Sequence, residues 1–276
     1  MNIAHVPFAL LASMMADYSL MNAIHYLAFV IPAFALLAWV SRKPIRFGRG
    51  TPPRPGAAQL WREAWLSTST IVLGAAMGPL IMLAGMGPKL NFYSGIDTYG
   101  WGYFFFSIVL MMVVRDTMFY WEHRLLHHRS LFRFTHRAHH LSIQPNPLTA
   151  FAVHPLEAII GAVIPYLIIL FFVPKHQLAY MTFLWIDAAV GVVTHLGVEF
   201  LPRGFSRSRI GRWIGTTTAH QMHHEFSRCN YGLYFLFWDR VMGTLHKRYD
   251  DVFDSSSPSR RGRERSAQPA PARQAG

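Results

Sequence analysis

The chain has 276 residues, of which 52% are apolar and only 14% charged, with a formal net charge of +12 and a single cysteine, Cys229. A soluble domain carries about a quarter charged residues, so this balance excludes an ordinary soluble protein and points to an integral membrane one. One cysteine excludes both a disulfide framework and a cysteine-rich metal site, and basic residues that flank apolar stretches fit anionic lipid headgroups better than nucleic acid.

Spanning a bilayer core takes roughly 20 apolar helical residues. Residues 5–16 allow a short interfacial helix, and no basic n-region or clear cleavage site marks a removable signal peptide. Tyr18 to Val40 is the first span. Arg42, Lys43, Arg46, Arg49 and Arg54 follow it, which the positive-inside rule assigns to the cytoplasm. Ala64 to Met86 is the second span, rich in the Gly and Ala that permit close helix packing. Trp101 to Trp121 is the third, charged only near its end at Arg115 and Asp116. Ala158 to Val173 and Leu178 to Val198, joined by Pro174-Lys-His-Gln177, read either as two tilted spans or as a re-entrant hairpin. If the pair crosses and returns, every histidine cluster faces the cytoplasm. Beyond Asp254 the composition turns to Ser, Pro, Arg and Ala, so residues 255–276, with Arg260, Arg261, Arg263 and Arg265, are expected to be a disordered tail.

Eight of the fifteen histidines form three clusters at the polar margins of these segments. They are His123-Arg-Leu-Leu-His127, His136-Arg-Ala-His139-His140 and His220-Gln-Met-His223-His224. On a helix, positions i, i+3 and i+4 share one face, so each cluster can aim two or three imidazoles at a common point. Imidazole ligates Fe, Zn, Cu and Ni, and eight nitrogens exceed what one tetrahedral zinc takes. Two metal ions fit better.

The order and spacing of these residues resemble the fatty acid hydroxylase and sterol desaturase superfamily of membrane di-iron enzymes. The resemblance lies in the block Asp116-Thr-Met-Phe-Tyr-Trp-Glu-His-Arg-Leu-Leu-His127, in the two HxxHH clusters, in Asn230-Tyr-Gly232 and in Trp238-Asp-Arg-Val-Met-Gly-Thr244. It covers roughly residues 100 to 250. It implies an all-α, polytopic membrane helix bundle with a cytosolic histidine-rich di-metal cap. Residues 1–99 would supply membrane helices and a basic linker, and 100–254 the catalytic domain. The implied chemistry is O2-dependent oxidation of a lipid C–H bond at two iron ions, giving an alcohol or an alkene. The resemblance further implies a ligand at His195, in Thr194-His-Leu-Gly197. His154, in His154-Pro-Leu-Glu157, resembles a recurrent family element, either a ligand or a residue orienting one.

Asp116 and Asp239 are expected to orient histidines, because metal-bound imidazole usually donates its other N–H to such a partner. His128 lies about 100° round a helix from His127, which favours the solvent side. His5, His25, His176 and His246 read as structural. The aromatics from Trp101 to Phe106 and from Tyr231 to Trp238 read mostly as lipid contact or interfacial belt, and Asn230-Tyr-Gly232 as a turn. No Gly-rich dinucleotide motif or haem domain is evident, so electrons would come from a separate ferredoxin or cytochrome b5 type protein. Two rivals compete. A histidine-rich metal or haem transporter predicts ligands at midplane depth. A surface zinc hydrolase, with Glu225 as base, leaves two clusters unused.

Overall fold

Five helices long and apolar enough to cross a bilayer dominate the computed structural model, which describes residues 7–42, 45–46 and 55–260. His5, Lys43, Arg49, Arg54 and the expected tail from Arg261 to Gly276 lie outside the described residues. Helix α1 runs unbroken over Phe8–Ser41, 34 residues or about 51 Å, more than a bilayer core requires. The separate interfacial helix expected at 5–16 is therefore not an element of its own. No Gly or Pro interrupts residues 8–31, so nothing ends the helix there. The dipeptide Ile45–Arg46 forms β1.

Helix α2 (Ala57–Leu83) packs along α1. Gly78 sits so close beneath the Tyr18 ring that a Cβ would collide with it, which is how small residues let spans approach. After β2 (Phe92–Tyr93), α3 (Gly100–Leu126) returns across the bundle. The single turn α4 (Arg137–His140) follows. Next, α5 (Pro155–Ala158), a π-helical turn at Ile159–Val163 and α6 (Ile164–Phe172) make one 18-residue span. Strand β3 (Lys175–His176) leads to α7 (Gln177–Thr194).

The link between α6 and α7 resolves the hairpin question. Its β3 pairs with β2, and the Tyr103 hydroxyl donates to the Pro174 carbonyl at 2.8 Å. It thus lies beside the start of α3, at the end of the bundle opposite His123. At 18 residues each, the two helices are about 27 Å long, enough to cross and return.

Large apolar side chains such as Ile24, Ile31, Leu80, Phe105, Phe106 and Phe172 are exposed on the span surfaces, as lipid contact requires. Trp61 and Trp65 are exposed at the histidine end and Trp101 at the other, consistent with interfacial aromatics. Within the bundle, Tyr26, Val30, Leu37 and Val40 of α1 pack on Val192, Leu196 and Val198. Phe104, Ile108 and Met111 of α3 pack on Ile169, Tyr180 and Phe183.

The cap is built from α8 (Thr217–Phe226), α9 (Phe237–Val241) and α10 (Tyr249–Ser256). Here the expected tail boundary shifts. Helix α10 passes residue 255, Ser256 and Ser257 are buried, and β4 (Ser259–Arg260) pairs with β1. The anchor is tertiary: Tyr249, Val252 and Phe253 bury against Ala219 and Met222, and Arg207 bonds Asp251 and Asp254.

Candidate metal centre

The histidines reach one place by separate local devices. His123 sits in the last turn of α3 and His127 caps its C-terminus. His195 caps the C-terminus of α7. The first turn of α8 is held twice: the Thr216 hydroxyl accepts the Ala219 amide at 3.1 Å, and Glu199 accepts both the amide and the hydroxyl of Thr218. Satisfying these otherwise orphaned amides fixes where α8 begins, and hence where His220, His223 and His224 point.

All nine expected ligands converge, but not cluster by cluster. His123, His127, His136, His140 and His223 form one group, and His139, His195, His220 and His224 a second, with candidate ligand atoms in each within 4.8 Å of one another. Each HxxHH cluster is split. In α4 the i and i+4 residues join the group of five and the i+3 residue the group of four; in α8 the assignment is reversed. Residues i and i+4 do share a point, while i+3, rotated by about 60° from i, reaches the neighbouring one.

Hydrogen bonds on the far side of the rings set the tautomers. Nδ1 donates to the carbonyl oxygen of Tyr231 from His123 at 2.9 Å, of Ala152 from His139 at 3.3 Å, of Gly191 from His195 at 2.6 Å and of Cys229 from His223 at 2.7 Å. A carbonyl only accepts, so these four rings carry their proton on Nδ1 and present a bare Nε2. His136 Nδ1 lies 2.6 Å from the Glu157 carboxylate, the arrangement that orients and strengthens an imidazole ligand.

The bare nitrogens then face one another. His139 and His195 place their Nε2 atoms 3.4 Å apart, and His123 and His136 theirs 2.9 Å apart. Two lone pairs with no proton between them repel, and a cation resolves the conflict. Nitrogens at about 2.0–2.1 Å from one ion, separated by octahedral to tetrahedral angles, lie about 2.9–3.4 Å apart. The Nε2 contacts within the two groups run from 2.9 Å, between His220 and His195, to that 3.4 Å. The residues present fit two bound metal ions. Burial, helped by the neighbouring imidazoles, holds His127, His136, His220, His223 and His224 well below the ordinary histidine range. Burial lowers His139 to about 4 and His195 to about 3, so the rings are neutral and ligand-ready at neutral pH.

The carboxylates are distributed differently from expectation. Asp116 bonds no imidazole among the described residues; its Oδ1 accepts the amides of Leu233, Tyr234 and Phe235. Asp239 accepts the amides of Tyr231 and Gly232 and the Thr244 hydroxyl. It thereby fixes the Tyr231 carbonyl that His123 uses, and acts on that ring through the backbone. His154 belongs to neither group; its Nδ1 accepts the Leu156 amide and caps α5. The partner that mattered in His154-Pro-Leu-Glu157 is Glu157. Glu63 was not singled out by the sequence. Wholly buried in α2, it accepts from Ser142, Asn146 and Thr149, clamping the loop after α4 to the membrane helices. A lone acid in an apolar run was its only signal.

The segment read as an aromatic belt, Tyr231 to Trp238, is largely cap instead. Tyr231 and Tyr234 are buried. Asn230, at a φ of 55°, is more than a turn residue, because its side chain donates to the Ala219 carbonyl and accepts the His246 amide. His128 is exposed. His176 caps α7 and reaches the Ser94 carbonyl, and His25 packs against Phe29 and Trp185.

A cavity of about 290 Å³ opens within the bundle, with Phe119, Leu184, Ala188 and Gly191 in its walls and His123, His136, His139, His195 and His220 among its lining. The chamber is lined largely by apolar side chains and ends on imidazoles.

Comparison with known proteins agrees with this architecture. Residues 108–244 match the fatty acid hydroxylase family. Over 152 residues the chain is 33% identical to the Delta(7)-sterol 5(6)-desaturase ERG3B of Gibberella zeae, covering 55% of this chain and 45% of that protein. It is 29% identical over 194 residues to the lathosterol oxidase of Rattus norvegicus, covering 70% and 60%. It is 30% identical over 181 residues to the lathosterol oxidase of Homo sapiens, covering 66% and 56%. The chain thus spans about half the length of the relatives it matches. No solved structure matches. Since the matched residues carry both histidine groups, Glu157 and Asp239, the chain belongs to the fatty acid hydroxylase family.

Proposed function

We propose that this chain is a membrane-bound di-iron oxidoreductase that uses O2 to desaturate or hydroxylate a C–H bond of a lipid, with sterols the first class to test. The observation that carries this reading is the junction of two bare-nitrogen histidine groups with an apolar cavity inside the membrane helices. Iron ions held there would supply the O2 activation that no side chain provides. The group of five and the group of four would each hold one ion, with Tyr231, Glu157, Ala152, Gly191 and Cys229 keeping the rings oriented from behind. The cavity walls would exclude water and lay the lipid against the rings.

The C-terminal end of α1 lies at the histidine end, where Val40 packs with Leu196 and Val198, and the basic residues that follow it in the chain favour the cytoplasm. A separate ferredoxin or cytochrome b5 type donor would therefore approach the cap from the cytosol. The gathering of all nine histidines at one end of the bundle weighs against a transporter, which needs ligands near mid-depth. A zinc hydrolase would leave the group of five without a role, and Glu225 is exposed.

The test is lipid mass spectrometry of cells supplied with sterol and expressing either the intact chain or His223→Ala, together with iron content. A species gaining one oxygen or losing two hydrogens only with the intact chain supports the proposal. An iron-loaded, reducible protein that changes no lipid overturns it.

A further inference from the structure

The cavity that ends on the histidines also holds a polar constellation that the metal site does not use. Arg115 of α3 is 6% exposed and lines the cavity. Its Nε lies 3.6 Å from Asp187 of α7, too far for a hydrogen bond, and both Nε and Nη1 are buried with no hydrogen-bond partner among the described residues. Asp187 is already engaged, because the hydroxyls of Tyr166 and Tyr234 both donate to it. Glu122 and His25 line the same cavity, and Glu122 Oε2 and His25 Nε2 are likewise buried without a hydrogen-bond partner. Buried polar groups in folded proteins are nearly always satisfied. Four orphaned atoms around one apolar chamber are a site for something polar.

The chemistry of these atoms selects the group. Arg115 only donates, so the group that meets it must accept. A hydroxyl does. A bare hydrocarbon leaves the guanidinium unsatisfied, and a carboxylate would be buried beside Asp187 and Glu122. The distance along the helices fixes where the group sits. Arg115 precedes His123 by eight residues in α3, and Asp187 precedes His195 by eight in α7, about 12 Å of helix in both cases. The polar pair and the metal-facing rings therefore lie at two different depths of one chamber.

The geometry points to Arg115, backed by Asp187, Tyr166 and Tyr234, as the subsite that receives the hydroxyl of a neutral lipid alcohol while another part of the same molecule lies against the histidines. This rests on the reading of the cavity as the lipid chamber, and it adds the polar group by which the lipid is selected. Arg115 is then a specificity-determining residue remote from the reacting carbon.

The test uses the whole chain in nanodiscs and a diazirine-bearing sterol with a free 3-hydroxyl, compared with its 3-deoxy analogue, which has no oxygen to accept from Arg115. The alcohol is expected to photolabel the cavity about tenfold or more better than the deoxy probe, as loss of a charge-assisted hydrogen bond predicts. Arg115→Met should reduce labelling by the alcohol to the level of the deoxy probe while iron content is retained. Because an unpaired Asp187 can cost folding, Arg115→Met/Asp187→Asn is measured alongside and should behave in the same way. Equal labelling by the two probes in the wild type, or a preference that survives in the folded double variant, overturns the assignment. Labelling needs no turnover. A chain that prefers the alcohol yet oxidises no lipid would sink the oxygenase reading and leave the subsite standing.

Discussion

His139 and His140 are adjacent in the chain yet face different partners: His139 Nε2 lies 3.4 Å from His195 Nε2, and His140 Nε2 lies 3.1 Å from His223 Nε2. One turn of helix thus feeds both candidate ion sites, and α8 does the same in reverse. Two short helices cross-link two sites, so neither site can form without the other's scaffold.

This division has a measurable signature. His139→Ala and His195→Ala each remove a ligand from the group of four, and combining them should cost little beyond either alone. Combining His139→Ala with His140→Ala strikes both groups. Elemental analysis should show bound metal falling from about two ions to about one per chain in the first set, and towards none in the last. Equal losses in every combination would mean that the groups are not separate sites.

Glu157 is the carboxylate that orients His136. Glu157→Ala should weaken metal retention about 10–100-fold, measured by competition with a chelator. Glu157→Gln should be milder, because its amide oxygen still accepts from Nδ1.

The metal-free chain should be acid-sensitive through its buried rings. His139 at about 4 and His195 at about 3 lie below the ordinary value of 6.5, so the unfolded chain binds more protons than the folded one between those values. Stability is then fully present above pH 6.5 and is lost as pH falls from there towards 4 and 3. Thermal melts of the metal-free protein should show the midpoint falling through this window, and His139→Ala should flatten the slope. A midpoint constant from pH 7 to 4.5 contradicts it.

Gly232 is held where a Cβ would drive into the Phe235 carbonyl and crowd Asp239. Gly232→Ala should therefore displace the Cys229–Tyr231 carbonyls that orient His223 and His123. The expected cost is about 2 kcal/mol or more of stability, with metal loss in whatever fraction folds. Gly102→Ala, in open space, is the matched control.

Glu63 accepts from Ser142 at 2.5 Å, Asn146 at 2.7 Å and Thr149 at 3.0 Å. Removing it leaves three buried polar groups short of a partner, so Glu63→Ala should destabilise the chain by about 3 kcal/mol or more. Glu63→Gln should recover part of this. The loop from 142 to 149 should gain hydrogen exchange ahead of the spans.

Much of this molecule is local in origin. The apolar runs had to be buried in lipid because their length and lack of charge leave no other solvent for them, and HxxHH places imidazoles on one side of a helix by the 3.6-residue turn alone. Fold class, the first three spans and the nine candidate histidines follow from such short-range rules together with the ordered motif, whereas the crossing of the 158–198 pair is visible only in the pairing of β3 with β2. What needed the folded chain was every relation between distant segments. The division of each cluster depends on where α4 and α8 lie relative to α3 and α7. Asp116 and Asp239 have the composition of imidazole partners, yet the 231–235 loop delivers backbone amides to them first. Glu157, not His154, faces a ring because His154 is spent capping α5, and the order beyond residue 255 comes from Val252 and Phe253 burying on α8. Side-chain type and spacing set which contacts are possible along a helix. Which partner wins a buried carboxylate or lone pair is decided by whichever donor the tertiary fold brings within about 3 Å.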